Sequence, residues 1–281
     1  MTVRAERLEV VPAARNATGG RLRVATLVAV NIVGAAAFLW PFLLPARQAG
    51  DENHGIDGPA VLVVLLLALA ALLFIQLGRG GLGPKRIALL GVLSAAMVAL
   101  RLPGFVAGFS AMFIVVLLAG NAFGSEFGFL LGAVGTFASG LFIGGLGPWL
   151  PFQMVAVGWM GMGAGALPKG SWPVRIGALA AYGFVTGYAF GAVMNLWSWP
   201  FLTAGSEVSW VPGAGAAVNL RHYLSFYVAT SFVWDSFRAV GNAVLVIVLG
   251  RPVLGALDRA ARRMNLRVEA SPVRSTVVAG G

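Results

Sequence analysis

Apolar runs that carry almost no charge and approach bilayer length dominate this chain. They cover about Val24–Leu44, Pro59–Leu77, Ile87–Leu100, Phe105–Gly120, two runs on either side of Gly147–Gln153 between Phe127 and Leu167, Ile176–Trp197, and His222–Leu249. About 20 apolar residues in helical form span the hydrocarbon core of a membrane. Lipid offers no partner to a free N–H or C=O, so runs of this length must fold as helices whose backbone bonds close within the segment. Hydrophobic residues make up 58% of the 281, charged residues 11%, and mean hydropathy is +0.85. The expected fold is therefore an all-α integral membrane protein, a polytopic bundle of about eight transmembrane helices. The 39 glycines suit helices that pack closely in lipid.

A net charge of +10 raises the question of nucleic acid, and the distribution answers it. With eight crossings and both termini inside, sixteen basic residues fall on the inner segments and three (Arg47, Arg101, Arg221) on the outer ones. This is the positive-inside bias, and it makes the lipid bilayer the partner, with both termini cytoplasmic and no nucleic acid. The basic front of the first run resembles a signal peptide, but the run is too long and lacks a clear small-residue cleavage site. The expected organisation is a cytoplasmic lead over 1–23, two helices with a basic loop over 24–84, a six-helix core over 85–250, and a basic tail over 251–281.

Within this frame the stretch Gly147-Pro148-Trp149-Leu150-Pro151-Phe152-Gln153 stands out. Two prolines, two aromatics and one amide interrupt otherwise apolar sequence, at a turn expected on the outer face. Such a break must lie at the interface or beside a protected cavity. Amphipathic aromatics with a single uncharged amide suit a neutral or mildly polar organic ligand. Trp159, Trp197, Trp199, Trp210, Tyr223, Tyr227 and Trp234 are expected near the same face, and an interfacial aromatic belt accounts for about half of them.

Asp235, Arg238 and Asn242 lie at i, i+3 and i+7 of the last apolar run and so share a helix face. A lone charge in the bilayer costs a few kcal/mol or more, so Asp235 and Arg238 are expected to pair and face the interior. They are either a structural pair that sets helix register or the floor of a ligand pocket. Small residues at four-residue spacing, Gly91-Ala95-Ala99 and Gly183-Gly187-Gly191, mark faces for close helix approach, inside this protein or against a partner.

Several chemistries are excluded by missing motifs. There are no cysteines, no G-x-x-x-x-G-K-[ST], no H-E-x-x-H and no G-x-S-x-G. His54 and His222 share no metal-ligand spacing, so no metal and no cofactor is expected.

The segment Lys85–Leu167 resembles the substrate-binding (S) components of energy-coupling factor (ECF) vitamin transporters. The likeness is carried by Lys85-Arg86-Ile87-Ala88-Leu89-Leu90-Gly91-Val92-Leu93-Ser94-Ala95-Ala96 and by the turn Gly120-Asn121-Ala122-Phe123-Gly124-Ser125-Glu126-Phe127-Gly128. Gly147–Met154 is similar to a signature of the cobalamin-type, actinobacterial subgroup, and Asp235–Asn242 and Gly250–Leu254 fit as well. The likeness spans about residues 85–263. Family members have about six helices, so the first two helices here are additions without an assigned role.

This resemblance implies a membrane subunit that captures a vitamin-like small molecule at the outer face. It would dock on an EcfT-type transmembrane coupling protein driven by two ATPase subunits, which fits the missing phosphate-binding loop. The implied substrate-binding residues are Trp149, Phe152, Gln153, Trp159, Asn195, Tyr227, Trp234, Asp235, Arg238 and Asn242. The implied gating loop carries Arg101, Phe105 and Phe109, and the implied coupling face is Gly91, Ala95 and Ala99. The first substrate expectation is cobalamin or a related corrinoid, followed by riboflavin-like or queuosine-like compounds. The other classes are an intramembrane lipid enzyme, for which only Asp235 with Arg238 is available, and a scaffold that needs no pocket.

Overall fold

The structure is a computed structural model that describes residues 8–12, 17–43, 63–64, 67–68, 71, 83–102, 110–143, 145–201, 205–211, 213–264 and 266–270. The loop with His54, most of the second apolar run, and Phe105 and Phe109 of the expected gating loop lie outside these residues.

The chain is a helical membrane protein. Its helices are α1 (Ala17–Leu43), α2 (Pro84–Arg101), α3 (Met112–Phe123), α4 (Ser125–Ile143), α5 (Leu150–Ala166), α6 (Trp172–Leu196), the short α7 (Gly205–Val208), α8 (Ala216–Thr230) and α9 (Phe232–Met264). A two-stranded antiparallel ribbon joins Leu8–Pro12 to Leu266–Ala270. Among the described residues α4, α6 and α9 are long and apolar enough to cross a membrane.

Helix α3 is the centre of the bundle. At 12 residues it is only about 18 Å long, well short of a ~30 Å hydrocarbon core. Ten of those residues are buried, so protein rather than lipid surrounds it. Glycine makes this possible: a Cβ on Gly120 of α3 or Gly128 of α4 would collide with the Gly161 carbonyl oxygen of α5. Three backbones therefore meet where lipid tails would otherwise intervene, and the gain comes from dispersion and packing because lipid supplies no hydrophobic drive. Phe129, Leu130, Leu131 and Val157 fill the layer around this contact.

The two small-residue stripes have opposite fates. Gly183, Gly187 and Gly191 are buried against α9, where a Cβ on Gly187 would stand 2.5 Å from the Ala239 Cα and one on Gly191 would strike the Asp235 carboxylate. Gly91, Ala95 and Ala99 are exposed, because α2 packs on the bundle through Leu90, Ser94 and Met97 instead.

Three boundaries differ from the sequence expectation. Pro151 does not prolong the break; it sits in the first turn of α5, where its missing N–H has no intrahelical partner to lose, so Phe152 and Gln153 are helical. The last apolar run is split at Ser231 into α8 and α9, and α8 at 15 residues is about 22 Å long, too short to cross by itself. Helix α9 also continues fourteen residues past Gly250 with Pro252 inside it, where a basic tail was expected.

Helix α1 runs antiparallel to α5. Gly34 meets Val155, Phe38 meets Phe152, and Phe42 lies 6.4 Å from Trp199. One end of the bundle gathers Arg101, Gly145, Leu150, Trp197 and Ser231. The other end is polar: Arg175 donates to Asn121 Oδ1 at 2.6 Å and to both Asp258 oxygens at 2.6 and 3.1 Å, while Lys169 reaches the Ala122 carbonyl at 3.3 Å.

Candidate functional site

Helices α6, α8 and α9 build a buried polar cluster near the Trp197 end. Asp235, 2% exposed, is held in the first turn of α9 by the Arg238 guanidinium and by the Tyr227 hydroxyl, which donates to Oδ2 at 2.8 Å. The expected pairing of Asp235 with Arg238 on an inward face is therefore present. Burial leaves the two charges little water, so each depends on the other for compensation. Arg238 also lies over the Phe190 ring at 4.9 Å and the Phe113 ring at 5.9 Å, where the negative ring faces attract the cation. Asn242, fully buried one turn on, donates to the Gly183 carbonyl at 3.2 Å, and its Oδ1 finds no partner among the described residues. Asn195 donates to the Ser231 hydroxyl at 2.7 Å and so ties the α8–α9 kink to the end of α6.

A second group lies on α5. Phe152, 1% exposed, is stacked on Trp197 at 4.8 Å and meets Phe38 edge-on at 5.1 Å. Trp159, two turns further, lies 5.5 Å from the same Phe38 and donates its indole N–H to Asn31 Oδ1 at 2.6 Å. Between α5 and α6 opens a cleft of about 100 Å³, lined by Ala156, Trp159, Met160, Tyr182, Thr186, Ala189, Phe190 and Val193. Its hydroxyls already donate within the fold, Tyr182 to the Trp159 carbonyl and Thr186 to the Tyr182 carbonyl, so the cavity presents mainly apolar and aromatic surface.

Phe190 connects the two groups: it is among the residues lining the cleft, and Arg238 lies over its ring. Of the expected site residues, Trp159 lines the cleft, Arg238 meets it through Phe190 with Asp235 and Tyr227 bonded in turn, and Asn195 and Asn242 tie α6 to Ser231 and α9. Phe152 is packed solid between Phe38 and Trp197. Trp149 is 41% exposed at the start of α5, and the half-buried Gln153 side chain makes no hydrogen bond among the described residues. Trp234 is not brought in. It is 52% exposed on the outside of the bundle, because the α9 face at Asp235, Ala239 and Asn242 is the one turned to α6. Arg101 donates to the Ser139 hydroxyl at 2.9 Å, joining the end of α2 to α4 at the same end as Trp149.

Sequence reasoning missed Phe190, Phe113, Tyr182 and Thr186, whose residue types are ordinary in any apolar helix. It also missed Asn31 and Phe38, although Asn31 is the one amide in the first apolar run and was a readable signal. The Arg175–Asp258 pair escaped because Asp258 was placed in a tail. Among the described residues no group of acidic, histidine or cysteine side chains could hold a metal.

No curated protein and no solved structure matches the chain. The family model described as "ECF transporter, substrate-specific component" matches residues 85–250, from the first turn of α2 to deep within α9, and so takes in both the central α3 contact and the α5–α6–α9 cluster. With more than half of its length under that match, the chain belongs to the substrate-specific components of ECF transporters, which are substrate-binding transporter subunits rather than enzymes.

Proposed function

We propose that this subunit captures a vitamin-like molecule at the outer face of the cell membrane, cobalamin or another corrinoid first. It then delivers the molecule inward with an EcfT-type coupling protein and two ATPase subunits. The observation that carries this reading is the α5–α6 cleft, whose α5 side at Ala156, Trp159 and Met160 lies one to three turns along the helix from Gln153 and Trp149, which mark the end of the bundle opposite the basic one. Arg259, Arg262 and Arg263 are exposed on α9 past Asp258 at the other end, Arg251 is exposed two turns before it, and the exposed Lys169 bonds to the Ala122 carbonyl at that end. Basic flanks favour the cytoplasm, so the aromatic end is the outer one. Both termini then lie inside, and the pairing of residues 8–12 with 266–270 agrees with this.

In this reading Trp149 and Gln153 form the mouth, Trp159 the wall, and Arg238 with Asp235, Tyr227, Asn195 and Asn242 the polar support behind Phe190. Arg101 anchors the near end of the gating loop. The open Gly91-Ala95-Ala99 stripe on α2 is the coupling face, since no described residue covers it and a Cβ on Gly91 would meet nothing within 4 Å.

The size of the cleft favours a second reading. A dry cavity of ~150 Å³ holds one benzene, so ~100 Å³ admits only the edge of a small ring system. A flat riboflavin-like or queuosine-like heterocycle needs less rearrangement than a corrinoid. Cyanocobalamin and riboflavin binding to the purified protein in detergent separates the two. Trp149→Ala and Gln153→Ala should weaken binding of whichever ligand is taken without lowering expression, and unchanged affinity in both would remove this site.

A further inference from the structure

Helix α1 lies outside the family-matched region 85–250, yet it is bonded into the α5–α6 site. Asn31 is oriented by its own helix, its Nδ2 donating to the Leu27 carbonyl at 2.7 Å, and this aims Oδ1 at the Trp159 indole N–H 2.6 Å away. One turn on, Gly34 lets α1 approach so closely that a Cβ there would stand 2.7 Å from a Val155 methyl. Two turns on, the buried Phe38 wedges against both Phe152 and Trp159. Val33 packs in the same cluster as Phe190 and Val193, which line the cleft from α6. Without α1 the indole N–H of Trp159 would lose the one acceptor that the described residues give it, and its ring would lose the Phe38 contact.

We propose that α1 buttresses the Trp159 wall of the substrate site from behind and that Asn31 is the positioning residue for Trp159, so that the site of this chain depends on a helix outside the family-wide core. The proposal rests on the reading of the α5–α6 cleft as the substrate site. The cleft side of the wall is aromatic and apolar, and its polar hydrogens are already engaged. It therefore selects an uncharged ring face or a methylated ring edge and rejects a charged group there.

The absence of cysteine allows a direct test in the full-length protein in membranes. A Cβ on Gly34 would lie 3.6 Å from the Val155 Cβ, within the roughly 3.5–4.5 Å that a disulfide spans. Gly34→Cys with Val155→Cys should therefore cross-link within one chain on mild oxidation, and Ile32→Cys with Val155→Cys, whose first member is 65% exposed, should not. Ultraviolet resonance Raman difference spectra between the parent and Trp159→Phe isolate the Trp159 indole N–H. Asn31→Leu should move that band to its unbonded position, and Asn31→Gln should keep it bonded.

Cyanocobalamin and riboflavin titrations of the same variants give the functional arm. Whichever ligand the parent binds should bind on the order of tenfold more weakly to Asn31→Leu, the loss of about one positioned hydrogen bond, and recover in Asn31→Gln. No cross-link, an unmoved Trp159 band in Asn31→Leu, or equal affinity in Asn31→Leu and the parent would each overturn the proposal. A parent that binds neither ligand would sink the vitamin reading, while the cross-link and the Raman band would still decide whether α1 buttresses Trp159.

Discussion

Replacing Asp235 by Leu should cost this protein about 4 kcal/mol of stability. The carboxylate is 2% exposed, and the Arg238 side chain it compensates is 13% exposed, so the variant leaves a guanidinium desolvated with no counter-charge. Removing one partner of a buried pair typically costs about 3–5 kcal/mol. The Phe190 and Phe113 faces attract the cation before and after the change and so cancel. The Tyr227 hydroxyl loses its 2.8 Å acceptor but keeps the Tyr188 carbonyl at 3.5 Å, which limits that loss to about 1 kcal/mol. Asp235→Leu combined with Arg238→Met removes both charges, and most of the stability should return, to within about 1 kcal/mol of the parent. Unfolding in mixed micelles with increasing dodecyl sulfate measures all four members of the cycle. A single variant within about 0.5 kcal/mol of the parent, or a double variant no better than the single, would refute the claim that these charges depend on each other. Ligand titration of the double variant then divides the two roles: retained affinity makes the pair a register device, and lost affinity makes it the floor of the pocket.

Other outcomes follow from the same geometry. Gly187→Ala forces a Cβ to 2.5 Å from backbone that cannot yield, so it should destabilise by roughly 1–3 kcal/mol, whereas Gly91→Ala, with nothing within 4 Å, should be neutral in the same micelle assay. Arg175→Lys keeps the charge but cannot serve Asn121 and both Asp258 oxygens together, and a loss of about 1–2 kcal/mol is expected; parental stability would show that the fork geometry is unimportant. Ala95→Trp should leave ligand affinity in detergent unchanged and abolish uptake in cells that carry the coupling module; normal uptake would count against α2 as the coupling face.

The membrane class, the helical fold and the inward-facing Asp235–Arg238 pair were legible in the order of residues, because each follows from a local cost. Lipid forbids unpaired backbone and unpaired charge, and a run of apolar residues declares itself without reference to any other part of the chain. The break at Trp149 was also visible, although its extent was overread, since a proline in the first turn looks the same in sequence as one that ends a helix. What only the packed structure decided is which of several equivalent faces meets which. The Gly91 and Gly183 stripes read alike, and one is sealed against α9 while the other stays open, because that choice depends on where Met97 and Ala239 find room. Trp159 and Trp234 are both tryptophans in apolar helices, and a rotation of one position along α9 puts the second outside the cluster. Asn31 acquires its role from a residue 128 positions away, across a contact that helical periodicity cannot register.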